Sequence, residues 1–196
     1  AVGAVAKREA MVQSARNGLL VVCGLLTFAS GILIFSLLSR DFRVEYVYSY
    51  TNRALPAFYT VSAFWAGQDG SLLLWAWLLA VLSFLALKKQ SQVPVPYMAH
   101  LISVLASIVF FFLLLLVGAA DPFEKLPFAS RDGLGLNPLL QNPEMIFHPP
   151  ILYIGYVGYS IPFAYAVAAM WSGSLESGWL AQVRRWSLFS WYFLGL

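Results

Sequence analysis

The sequence predicts an all-α integral membrane protein with at least four transmembrane helices, part of a fifth, and outer segments lying at the membrane interface. Two observations carry this. Hydrophobic residues make up 60% of the 196 positions and charged residues only 11%, against about 25% charged in a soluble domain. A chain so apolar lacks the polar coat that water demands, so lipid is its solvent. The few charges also fall in short clusters that separate long apolar runs. A helix rises about 1.5 Å per residue, so about 20 apolar residues cross a bilayer. In hydrocarbon each backbone N–H must bond within its own segment, which makes these runs helices. Their length and lack of alternation exclude a β-barrel.

The spans follow in order. Arg16 and Arg40 bracket an uncharged run that predicts a span over 17–39. It is too long for the core of a signal peptide, and further spans follow it. Asp69 and Lys88 bracket the Leu- and Trp-rich run of span two, 71–88. Span three lies at 97–118, between Lys89 and Asp121, and span four at 149–171, between Glu144 and Glu176. A fifth, incomplete, occupies 185–196. The chain opens on Ala and stops within an apolar run, so a fragment or a naturally split subunit is expected.

Orientation follows from Lys and Arg near the span ends. Lys7, Arg8, Arg16, Lys88, Lys89, Arg184 and Arg185 fall on one side and hug those ends. That side is expected to be cytoplasmic. The segments 40–70 and 119–148, which carry most of the acids, then face outward. The net charge of +3 is topology information, and no nucleic-acid footprint is present. The single cysteine, Cys23, excludes an internal disulfide, a CxxC redox motif and a cysteine-built metal site; in mid-run it reads as a packing residue.

The outer segments hold the candidate functional residues. In FHPPILYIGYVGY, Pro149 is expected to forbid helical geometry at His148 and push it extended, while suiting a helix's first turn itself. His148 is therefore expected just outside the start of span four, on a stiff connection, with Asn137-Pro138 and Asn142-Pro143 as turn signals ahead of it. Two readings stay open: an interfacial histidine bonded to a loop carbonyl, or a neutral imidazole offered to a metal such as haem iron. His100, near the inner end of span three, reads as structural or interfacial. In FWAGQDGSLLLWAW, Asp69 and Ser71 are candidate helix caps, with Gly67 and Gly70 allowing a tight turn. The other reading is a binding surface built from Trp65, Gln68, Asp69 and Trp75. Tyr153, Tyr156 and Tyr159 recur every third residue, with Gly155 and Gly158 between them as packing positions. Pro162 is expected to kink its helix by depriving Gly158 of a hydrogen-bond partner. The sequence contains no nucleophile–base pair, paired carboxylates, phosphate loop or zinc spacing.

Literal strings go further than spacing. WAGQDGSLLLW at 65–75 and LNPLLQNPEMIFHPPILYIGYVGYS at 136–160 resemble two signatures of the CcmF/NrfE family of cytochrome c haem lyases, in its amino-terminal part. DPFEKLPF at 121–128 and the stretch around NRALPAFYTVSAFW are similar to it too, so the resemblance covers nearly the whole chain. The family often has Glu where Asp69 stands, which keeps the charge but not the reach. The resemblance implies cytochrome c maturation in a bacterial or mitochondrial inner membrane. A haem chaperone delivers haem, which is joined to the CxxCH peptide of apocytochrome c, a substrate prepared by a thiol-handling partner. His148 matches the first of two external histidines that hold the iron. The second, the Trp-rich haem segment and the histidines of a b-type haem are not in this sequence. They would lie in the carboxy-terminal part of the same protein or in a split subunit. A haem or small-molecule transporter and a structural docking subunit are the alternatives; spans almost free of polar residues argue against the transporter.

Overall fold

The computed structural model describes residues 9–88, 94–128, 130–173 and 178–196. Among these residues eight α-helices follow in order: α1 (Glu9–Ser39), α2 (Glu45–Tyr50), α3 (Ala57–Ser62), α4 (Gln68–Lys88), α5 (Val95–Gly118), α6 (Glu144–Gly158), α7 (Ser160–Ser172) and α8 (Gly178–Leu194). Short 3-10 turns occupy Ala63–Trp65 and Pro138–Leu140. Among the described residues the only β pairing is an isolated bridge between Val44 and Lys125. Helices α1, α4, α5 and the stretch Glu144–Ser172 are long and apolar enough to cross a membrane. The protein is an all-α, multi-pass membrane protein.

Two compact units divide the chain. The first takes in Ala1–Leu25, Leu78–Phe111 and Leu152–Leu196; the second takes in Leu26–Trp77 and Phe112–Ile151.

Helix-on-helix packing builds the first unit. Tyr165 is fully buried at its centre. Its hydroxyl donates to the Ala86 carbonyl at 3.0 Å, and its carbonyl accepts the Tyr97 hydroxyl at 3.2 Å. Gly155 and Gly158 meet α8 so closely that a Cβ would overlap Leu194 at the first position and Ser190 at the second. They are packing glycines, as their spacing predicts. The chain breaks at Tyr159, between α6 and α7. Pro162 lies one turn later and cannot donate to the Gly158 carbonyl, which accounts for the break. The His100 ring meets Trp171 edge-on at 5.9 Å, a packing contact.

Main-chain and side-chain hydrogen bonds strap the second unit together. Residue Arg40 closes α1 in the left-handed region at φ 56°, a cap usually left to Gly or Asn. Its guanidinium reaches the Leu55 carbonyl at 2.9 Å. Glu45 N–H donates to Glu124, and Leu126 N–H to Arg43, each at 2.9 Å. Leu134 N–H donates to Tyr48 at 2.8 Å and Gly135 N–H to Thr51 at 3.1 Å. The Asp132 carboxylate gathers the amides of Arg53 and Gly133, both at 2.8 Å.

Two helix starts correct the reading from sequence. Helix α6 begins at Glu144 and takes in His148, Pro149 and Pro150; it does not start at Pro149 with His148 outside. Proline disfavours a helical residue before it without forbidding one. A better start signal lies upstream, where Asn142 Oδ1 accepts the Glu144 amide at 3.1 Å and Pro143 occupies the first turn. Asn137 does the same for the Pro138–Leu140 turn, accepting from Leu139 at 3.0 Å. Both Asn-Pro pairs cap helices. Helix α4 likewise begins at Gln68, so Asp69 is a first-turn residue and not a cap. Ser71 is no cap either: its hydroxyl donates back to the Trp65 carbonyl at 3.0 Å.

Candidate functional site

The site belongs to the second unit and is organised by a residue the motifs do not contain. Tyr46, on α2, is buried under the turn that carries Trp65 to Gly70. Its proton lies between the carbonyls of Ala63, at 3.0 Å, and Phe64, at 3.1 Å. Its oxygen accepts the Gly67 amide at 3.0 Å. Burial pushes this phenol above its usual range, so it remains a donor at neutral pH. Gly67 and Gly70 are required by close approach. A Cβ at Gly67 would strike the Tyr50 ring, and one at Gly70 would strike the Phe64 carbonyl and the Tyr46 hydroxyl.

Trp65 leaves this turn half-buried, and its indole N–H reaches the Met145 carbonyl, in the first turn of α6, at 3.3 Å. A second contact runs beside it: the rings of Phe58, on α3, and Phe147, on α6, lie 6.0 Å apart. Residue His148 follows directly. Its side chain is exposed and makes no hydrogen bond, ion pair or ring contact among the described residues. Neither ring nitrogen is engaged by another described residue. Phe58 and Phe147 are themselves more than half exposed, so the start of α6 carries exposed apolar rings as well as the exposed imidazole.

The sequence-predicted residues separate. Trp65 is brought to the helix of His148. Gln68 is exposed and Asp69 half-buried, and neither shares a hydrogen bond with His148 among the described residues. Asp69 lies in the field of Asp121 and Glu124 and complements the α4 dipole from its first turn. Trp75 tilts over Phe112, on α5, at 5.8 Å. Tyr46 and Phe58 were not singled out from the sequence: Tyr46 stands in no motif, Phe58 lies in NRALPAFYTVSAFW without a chemistry-bearing side chain to mark it, and the partners of both lie across the fold.

Among the described residues no three His, Cys, Asp or Glu side chains converge on a metal position. A haem iron does not ask for such a cluster, since one or two axial ligands on its face suffice. One exposed, unbonded imidazole fits that demand.

Residues 65–196 match the sequence model of the cytochrome C assembly protein family. The chain belongs to that family. Within it, the chain is 44% identical over 172 residues to the cytochrome c-type biogenesis protein CcmF of Pseudomonas aeruginosa, covering 87% of this chain and 26% of the relative. It is 36% identical over 173 residues to the cytochrome c-type biogenesis protein NrfE of Haemophilus influenzae, covering 86% and 26%. It is similar in structure to the cytochrome c haem lyase CcmF, with a TM-score of 0.82 and 29% identity over 98% of this chain and 30% of that one. The chain thus spans about a quarter of the length of the curated relatives it matches.

Proposed function

We propose that this chain is the part of a cytochrome c haem lyase that offers His148 as one axial ligand to haem iron on the outer face of the inner membrane. The observation that carries the reading is the exposed, unbonded imidazole of His148 on a helix whose first turns are held by Trp65 and Phe58. When bound, haem supplies the vinyl groups that become thioether links to a CxxCH peptide. The contribution of this chain is positioning: a fixed imidazole sets the porphyrin plane, and with it the place of the vinyl carbons relative to incoming thiols. Under this reading the second ligand and the b-type haem site come from sequence outside these residues. The partners are the remainder of the protein or a split subunit, a haem chaperone, and apocytochrome c with its thiol-handling partner.

His148→Ala in the full-length protein is expected to bring holocytochrome c to background while the protein stays in the membrane at its normal level. Normal holocytochrome yield from that variant would overturn the ligand assignment. The side of the membrane is tested separately: His148→Cys should react with an impermeant maleimide added outside intact cells, and protection there would reverse the topology.

A further inference from the structure

We infer that Trp65 is the positioning residue for His148, its indole N–H standing in for the amide hydrogen that Pro149 lacks. The inference rests on His148 as an iron ligand and adds what holds that ligand still. In an α-helix the amide of residue 149 would donate to the carbonyl of residue 145. Proline has no such hydrogen, and its ring crowds that same carbonyl. Trp65 fills the gap from outside the helix, with Nε1 lying 3.3 Å from the Met145 oxygen.

The donor is itself fixed. The Trp65 carbonyl accepts the Ser71 hydroxyl at 3.0 Å. The two carbonyls before it are held by Tyr46, and the Trp65 ring lies 6.4 Å from that of Phe64.

This bond has a particular consequence for the histidine. A metal-ligating imidazole is ordinarily oriented by a hydrogen bond from its other nitrogen to a carboxylate or carbonyl. His148 has no such partner among the described residues. Its orientation must come from its own backbone. That backbone lies within the turn whose carbonyl Trp65 holds, next to the Phe147 ring that meets Phe58. The double proline stiffens the chain, and the indole repairs the hydrogen bond that stiffening removes.

The prediction is compensation. Trp65→Phe keeps the ring and removes the donor; Pro149→Ala restores the amide. In the full-length haem-loaded protein in nanodiscs, W65F should raise hydrogen exchange across residues 144–152 by about fivefold, the factor of one neutral hydrogen bond. It should also alter the low-spin iron signal in electron paramagnetic resonance. W65F/P149A should return both toward wild type. Should W65F fail to accumulate, recovery of its membrane level in the double variant is the readout. A double variant no better than W65F, or a W65F protein unchanged in both measurements, would overturn the inference. An iron signal unmoved by His148→Ala, with exchange still rescued by P149A, would instead defeat the ligand reading and leave the indole–carbonyl replacement standing.

Discussion

The two units of this protein are held together differently. In the first, helices approach through glycines at 155 and 158, and the central polar contacts run through one tyrosine, Tyr165. In the second, such bonds to distant main chain multiply: Arg40, Tyr46 and Trp65 donate to carbonyls, the Asp132 carboxylate accepts the Arg53 amide, and main chain pairs with main chain. Packing of the first kind adapts, because a side chain can rotate or slide. Bonds to fixed backbone do not adapt. The exposed histidine stands on the second unit, where positions are set by directional bonds.

That contrast can be broken by the same substitution made in each unit. Gly70→Ala places its methyl on the Phe64 carbonyl and the Tyr46 hydroxyl, neither of which can yield. It should cost about 3 kcal/mol, seen as early loss of the second unit in thermal unfolding of the nanodisc-bound protein. Tyr46→Phe comes next. It strips the Gly67 amide of its acceptor and withdraws the hydroxyl shared by the Ala63 and Phe64 carbonyls. A loss of about 2 kcal/mol is expected, with faster exchange at Gly67 as the local check. Gly158→Ala meets a serine hydroxyl that can rotate and gains helix propensity, so its cost should stay below about 1 kcal/mol. If Gly158→Ala proved as damaging as Gly70→Ala, the distinction between the units would fail.

The smallest effect concerns charge. A side-chain hydrogen bond from Arg43 holds the Asp41 carboxyl below its usual range, with two oxygen contacts at 2.7 Å. A carboxylate with a depressed folded-state pKa contributes stability above its unfolded value and loses it as pH falls through the folded one. Arg43→Gln should therefore show a slight deficit at neutral pH that closes on acidification below the ordinary carboxylate range. Arg43 is exposed and Asp41 partly so, so salt should shrink the deficit too. A gap that widens in acid would contradict the assignment.

The spans were legible because charge is intolerable in hydrocarbon: Arg16, Arg40, Lys88, Asp121 and Glu144 mark the ends of apolar runs without any knowledge of packing. The Pro162 break was legible because a proline removes a hydrogen bond within its own helix, and the packing glycines because small residues on an apolar helix admit a close neighbour whichever helix supplies it. Helix starts were less so. Pro149 reads as a boundary only if the helix cannot absorb a missing hydrogen bond, and the fold supplies that bond from Trp65, 80 residues away. The Asn-Pro pairs were visible as turns, but their asparagines prove to be caps. Tyr46 carried no signal at all, since nothing near it in the chain shows that its hydroxyl will meet three backbone groups.

The straps between residues 43–53 and 124–135 also impose an order on synthesis. When the earlier stretch leaves the ribosome, the carbonyls of Tyr48 and Thr51 and the amide of Glu45 await partners that have not yet been made. Those partners arrive only after α4 and α5 have been threaded into the bilayer. The second unit therefore closes late, and until then its first half must remain hydrated or be sheltered by the insertion machinery. A pause or failure in delivering α5 would leave half of the unit stranded as a ready target for surveillance proteases.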